Sequence, residues 1–164
     1  MTLDEYIAAF ALGRVLTSEL PKAAMQALEE GYDSVDLAAL AGSQPGELSP
    51  SELDDLWRRG LRHLNKTVPG RAEAGRLLRR YYATSVVSGA LAPRAGAAAI
   101  VHLATELSDV LPSREYAGDG LGLARLLGLY YSHDDVPFGD ECAHVEIDSE
   151  LKAECERLMR EGAA

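Results

Sequence analysis

Apolar residues recur every three or four positions through most of this 164-residue chain, and serine, proline and glycine interrupt the recurrence at short intervals. Spacing of that kind lines up side chains on one face of an α-helix, whereas a half-buried strand alternates apolar and polar residues at period two. No segment here alternates in that way over a useful length. The interior should therefore be enclosed by helices, and the expected fold class is all-α: a single compact irregular bundle of about seven or eight short helices, forming one domain over residues 1–164.

The punctuation places those helices. Thr2 with Glu5 three residues on makes a capping box ahead of Leu3, Ile7, Phe10 and Ala11, which predicts a first helix to about Leu16. Pro21 suits the first turn of a second helix carrying Met25 and Leu28, and Gly31 suits the left-handed residue that ends it. Ser34 caps a third over residues 35–41, with Gly42 as its stop. Ser49 followed by Pro50 starts a fourth, whose apolar stripe is Leu53, Leu56, Trp57, Leu61 and Leu64 before Pro69 and Gly70 break it. Ala74, Leu77, Leu78, Tyr81, Val86 and Val87 carry a fifth helix to Gly89. Ala97, Ile100, Val101, Ala104, Leu107 and Leu111 carry a sixth from Pro93 toward Pro112, with Gly96 allowing a close neighbour. Residues 113–120 read as loop, 121–131 as a short buried helix, and 132–148 as a long acidic connection. Asp148 or Ser149 then caps a last helix bearing Leu151, Cys155, Leu158 and Met159.

Three segments stand together: Tyr6, Phe10, Leu12 and Gly13; Gly31-Tyr32-Asp33-Ser34 with Leu37 and Leu40-Ala41-Gly42; and Val87-Ser88-Gly89 with Leu91, Pro93, Gly96-Ala97 and Ile100. Over roughly the first hundred residues they resemble a family of small bacterial all-helical proteins without an assigned activity. The resemblance implies a helical fold and carries over no catalytic residues. The same positions read physically as caps, stops and core contacts.

No run approaches the roughly 20 apolar residues of a membrane span, and Met1 to Glu5 carry acids where a secretion signal would carry lysine or arginine. The expected location is cytoplasmic, with no membrane partner. Cys142 and Cys155 are too few for a disulfide framework and read most simply as free thiols. The formal net charge of −10 is uneven: −9 over residues 1–57, +7 over 58–80, −1 over 81–133 and −7 over 134–164. Phosphate-backbone binding draws on lysine and arginine, so nucleic acid is not expected as the main partner. Arg58, Arg62 and Lys66 step along one helical face with Arg71, Arg76, Arg79 and Arg80 close behind. That stripe would suit an anion or RNA, but pairing with the acidic helices before it is the simpler expectation.

Candidate chemistry concentrates late in the chain. Residues 132–146 gather His133, His144, Cys142 and several carboxylates, all of them metal-ligand types, yet their spacing fits no closed Cys₂His₂ pattern and a solvated acidic loop is favoured. His102, the doublet His133-Asp134 and Asp148 follow the order in which HD-like phosphohydrolases hold a divalent ion, and such an ion would polarise a phosphoryl oxygen. The doublet, however, falls in expected loop. Gly118-Asp119-Gly120-Leu121-Gly122 lacks the strand and the Gly-Lys-Ser/Thr element of a phosphate loop. His63 and His102 lie beside apolar faces and are expected to pack. Adjacent tyrosines in Tyr81-Tyr82 and Tyr130-Tyr131 point about 100° apart on a helix, leaving one of each pair for the surface.

These observations favour a non-enzymatic protein-binding module, of which an immunity or antitoxin-like protein covering a basic partner is one form. The expected contact patch is Tyr131, His133, Asp134, Asp135, Asp140, Glu141, His144 and Glu146. No cofactor is expected. The alternatives are the metal-dependent phosphohydrolase, with His102, His133, Asp134 and Asp148 as ligands, and a self-associating structural domain.

Overall fold

The computed structural model describes residues 1–111, 121–137 and 139–161. Among these the chain is all-α: eight helices and one 3₁₀ turn form, with no strand. In order they are α1 (Leu3–Ala11), the 3₁₀ turn (Thr17–Glu19), α2 (Leu20–Glu29), α3 (Val35–Gly42), α4 (Pro50–His63), α5 (Arg71–Val87), α6 (Pro93–Glu106), α7 (Ala124–Asp135) and α8 (Glu141–Glu161). They fall into two compact units, residues 1–70 and 71–164, that meet in sequence at Pro69-Gly70. Each unit has its own apolar cluster, so the one core expected from chain length is in fact two.

The first unit is built from α1 to α4. Thr2 and Ser49 open α1 and α4 with reciprocal capping boxes, in which the Glu5 and Glu52 carboxylates accept the cap residues' own N–H groups at 2.6 and 2.8 Å. Hydrogen bonds from Ser49 hold the Glu52 carboxyl below its usual range. Gly31 ends α2 at φ +87°, with the Tyr32 and Gly31 N–H groups returning to the Ala27 and Leu28 carbonyls, the paired closure that only a left-handed residue permits. Gly13 closes α1 in the same way at φ +66°, so that helix stops at Ala11 instead of reaching Leu16. Leu3, Ile7, Leu20, Leu37, Leu40, Trp57 and Leu61 fill the interior, each large side chain contributing about 1.5–3 kcal/mol on burial. Phe10 meets the Trp57 ring edge-on at 6.1 Å.

Part of the basic stripe, and Arg59 beside it, pairs with acids of the first unit. Arg58 pairs with Asp54 at 2.7 Å, Arg59 with Asp36 at 3.0 Å, and Lys66 with Asp4 at 2.8 Å. The Asp4 hydrogen bond raises the Lys66 pKa, and Lys66 also lies 5.0 Å over the Tyr32 ring. Arg71 departs from the expected acidic helices and binds Asp109, 2.5 Å away, and the Glu106 carbonyl; it holds the Asp109 carboxyl below its ordinary range.

In the second unit α8 packs against α5, α6 and α7. Ile100, Leu123, Leu126, Leu151, Cys155 and Leu158 make its core. Gly96 and Gly75 have no room for a side chain, since a Cβ would run into Val86 and Leu107 respectively. Arg79 is buried and donates to the Leu121 carbonyl. The long acidic connection over residues 132–148 is replaced by helix: Ser132 to Asp135 continue α7, Glu141 to Asp148 open α8, and only residues 136–140 join them. Pro137, Gly139 at φ +97°, and Asp140 break the helix there. The sixth helix also stops earlier than its apolar period, at Glu106. The expected loop at 113–120 and most of the Gly118 to Gly122 stretch lie outside the described residues.

Candidate functional site at the α7–α8 hairpin

Between Arg125 and Lys152 the sequence holds seven carboxylates and no lysine or arginine. The two helices that carry this run fold back on each other, and their geometry sorts the acids by duty. Asp140 is structural: its Oδ1 accepts the Ala143 N–H at 3.1 Å and its carbonyl accepts the His144 N–H, so it caps α8. Asp134 is bound by Arg94 of α6, and Glu150 lies 3.5 Å from Arg125. Asp148 turns toward His133. That leaves Asp135, Glu141 and Glu146 exposed, with no ion pair among the described residues.

Two exposed apolar side chains accompany those three acids. Tyr131, one turn before Asp135 on α7, is 57% exposed, and Val145, between Glu141 and Glu146 on α8, is 69% exposed. Tyr130, its ring 5.3 Å from that of Tyr131, packs on the core instead, which is the division expected of adjacent helical tyrosines. Val145 carries no chemistry and escaped the sequence reading; its place in a helix one turn after Glu141 is the signal that identifies it.

The two histidines of the expected patch do not face outward in the same way. His133 is 7% exposed, and His144 is half-buried with its ring centroid 4.4 Å from that of His133, the planes tilted by 34°. His133 Nε2 lies 3.8 Å from Asp148 Oδ1. The Nδ1 atoms of both rings and the Asp148 Oδ1 are buried without a hydrogen-bond partner. A neutral imidazole has one donor and one acceptor, so each ring keeps an unused position in this cluster.

The four residues of the HD-like alternative are not gathered. His133 and Asp148 meet, Asp134 is taken by Arg94, and His102 is exposed on α6. Among the described residues no group of three histidine, cysteine or acidic side chains is placed to hold a metal ion. The expectation that His63 and His102 pack is corrected: His63 is exposed and bonds Asp36 at 2.9 Å, because the outer face of α4 brings it over that carboxylate.

Close to the hairpin in sequence, Glu154 is almost fully buried and held by Arg157. Cys155 beside it is a free thiol, pushed up to about 11 by burial and then by the Glu154 charge; Cys142 is free and exposed. In the first unit a cleft of about 380 Å³ opens between Pro21, Pro45, Leu48 and Leu53, rimmed by the Thr17, Ser43 and Gln44 side chains. None of its lining side chains has an unpartnered buried polar atom. The hairpin is therefore the more distinctive feature. No protein-family description, no curated protein and no solved structure matches this chain.

Proposed function

We propose that the chain is a non-enzymatic protein-binding module whose docking surface is the outer face of the α7–α8 hairpin, taking a partner of basic character. The supporting observation is that α7 exposes Tyr131 with Asp135 one turn on, that α8 exposes Val145 with Glu141 and Glu146, and that no cation of the described chain pairs with those three carboxylates. Amphipathic aromatics make strong contact anchors, and unpaired surface charge of one sign steers an oppositely charged partner and rejects like-charged ones. An immunity or antitoxin-like role, in a bacterial cytoplasm, is the biological form this reading favours.

No helix among the described residues is long and apolar enough to cross a membrane. The test is capture from a bacterial lysate by the protein and by the variant Tyr131→Ala/Asp135→Lys/Glu146→Lys. Asp140 is left alone because it caps α8. The reading expects one or more basic proteins that the parent enriches, that elute with rising salt, and that the variant loses. Equal recovery by both would remove the hairpin face from consideration.

A further inference from the structure

We propose that the cleft of the first unit is a binding site for a small uncharged ring compound that carries an amide or hydroxyl group on one edge. Its volume of about 380 Å³ lies within the range of small-molecule sites, and its composition follows their pattern: an apolar wall with a few polar groups that fix orientation. Three segments build it: the 3₁₀ turn with the start of α2, the connection between α3 and α4, and the first turns of α4. Helix α4 packs on the 3₁₀ turn, which brings the first and last of these together.

Each segment is fixed by a carboxylate that clamps its own backbone. Glu19 accepts the Leu16 N–H, Glu47 the Gln44 N–H and Glu52 the Ser49 N–H, each at 2.8 Å. The middle segment turns at Gln44-Pro45-Gly46-Glu47, where the Glu47 N–H donates to the Gln44 carbonyl at 3.0 Å and Gly46 stands at φ +83°. Proline second and a left-handed glycine third make the sequence of a type II turn. Pro21 and Pro50 fix the backbone at the starts of α2 and α4. The walls are therefore set before a ligand arrives, and a preformed site loses less of its binding energy to ordering loops.

The lining chemistry selects the ligand. Pro21, Pro45, Pro50, Leu48 and Leu53 present apolar surface, and proline rings pack well on aromatic faces. No lining residue is charged, in a chain whose net charge is −10. A phosphate or carboxylate would find no cation there and would approach the three clamping acids, and an ammonium group would lose water without gaining an ion pair. The polar edge is uncharged as well. The Ser43 hydroxyl donates to the Leu40 carbonyl at 2.7 Å, whereas the Thr17 and Ser18 hydroxyls and the Gln44 side-chain amide have no partner among the described residues. Together they offer donors and acceptors to a carboxamide or hydroxyl. The cleft lies wholly within residues 1–70, apart from the docking role of the hairpin.

The test is a titration of the full chain with three probes that share one ring system, indole-3-acetamide, indole-3-acetate and tryptamine, followed by amide chemical shifts of ¹⁵N-labelled protein. The neutral probe should move the amides of Thr17, Ser18, Ser43, Gln44 and Gly46 and saturate with a Kd on the order of 1 mM, while residues 141–150 stay still. Both charged probes should bind at least about tenfold more weakly. Gln44→Leu keeps the apolar wall, removes part of the polar edge, and should weaken the neutral probe about fivefold to tenfold. Glu47→Ala unclamps the turn and should weaken it too, with unchanged shifts elsewhere in its spectrum showing that the fold is kept. No movement of these amides at about 10 mM probe, equal affinity for all three probes, or equal affinity in Gln44→Leu would overturn the proposal. Shifts produced by a tryptophan-containing peptide and by none of the free probes would likewise overturn it and make the cleft a peptide groove.

Discussion

Arg157 Nη2 lies 2.6 Å from Oε1 of Glu154, a carboxylate whose side chain is 1% exposed, and the same guanidinium donates to the Gly122 carbonyl at 2.9 Å. The pair thereby ties α8 to the backbone just before α7. A charge taken out of water this completely is tolerated only while its partner is present.

Removing the cation is therefore predicted to be costly. Arg157→Ala leaves Glu154 with Arg125, whose Nε is 4.0 Å away, and should destabilise the second unit by about 3 kcal/mol. Replacing both residues by leucine should recover most of that loss, since an apolar pair needs no solvation. Urea unfolding followed by far-ultraviolet circular dichroism reads the difference. Equal stability of Arg157→Ala and the parent would show that the buried charge is solvated some other way.

Two glycines in helices should respond to alanine with opposite signs. A Cβ at Gly60 would lie 2.6 Å from Leu37 Cδ2 and 2.7 Å from Leu37 Cγ, and Leu37 is fully buried. Gly60→Ala is expected to cost about 1–3 kcal/mol through that overpacking. Gly128 in α7 has nothing within 4 Å of the same position, so Gly128→Ala should stabilise by about 0.5–1 kcal/mol through helix propensity. Trp57, the chain's one tryptophan, belongs to α4 and to the same buried cluster as Leu37, and reports the first change by fluorescence in urea.

The thiols should separate by reactivity and by pH. Cys142 is exposed and should alkylate readily at pH 8, whereas Cys155 should stay unmodified until the chain unfolds. Burial raises the Cys155 pKa from 9.0 to about 11 in the folded chain, with Glu154 adding to the shift. The unfolded chain therefore loses this proton first, so the thiol's contribution is intact below pH 9 and fades as pH rises toward 11. Cys155→Ala should flatten stability across that window, as a denaturation series from pH 8 to pH 11 would show.

Much of the fold is legible because its signals are local. Ser49-Pro50, Thr2 with Glu5, and Gly31 act within one turn of themselves, and the structure places α4, α1 and the end of α2 accordingly. The α7–α8 hairpin escapes because polar residues stand at inward positions. His133 continues the stripe of Leu126 and Tyr130, while His144 and Asp148 lead into Leu151, Cys155 and Leu158. Read by hydrophobicity alone, both helices end where those residues begin, and the true break at Pro137 and Gly139 is hidden inside an apparent loop. The division into two cores is equally invisible, since each helix shows the same apolar period whichever cluster it joins.

The sequence also groups the eight patch residues without separating their duties. Only the folded chain shows Asp134 held by Arg94, Asp140 spent on a cap, and His133 turned toward Asp148 with the His144 ring against it, leaving Tyr131, Asp135, Glu141 and Glu146 exposed. Those distinctions depend on long-range contacts, such as the 40-residue separation between Arg94 and Asp134, that no local pattern encodes.

The docking claim is tested most directly by attaching a photo-crosslinker to Cys142, which is exposed beside Glu141 and one turn from Glu146. The control carries Cys142→Ser and Leu16→Cys, placing the same group at a site 68% exposed in the first unit. The account predicts that the Cys142 label joins covalently to a basic protein in lysate, that rising salt or Asp135→Lys/Glu146→Lys abolishes the adduct, and that the Leu16 site gives none. Equal adducts from both sites, or none from Cys142 while capture persists, would contradict it.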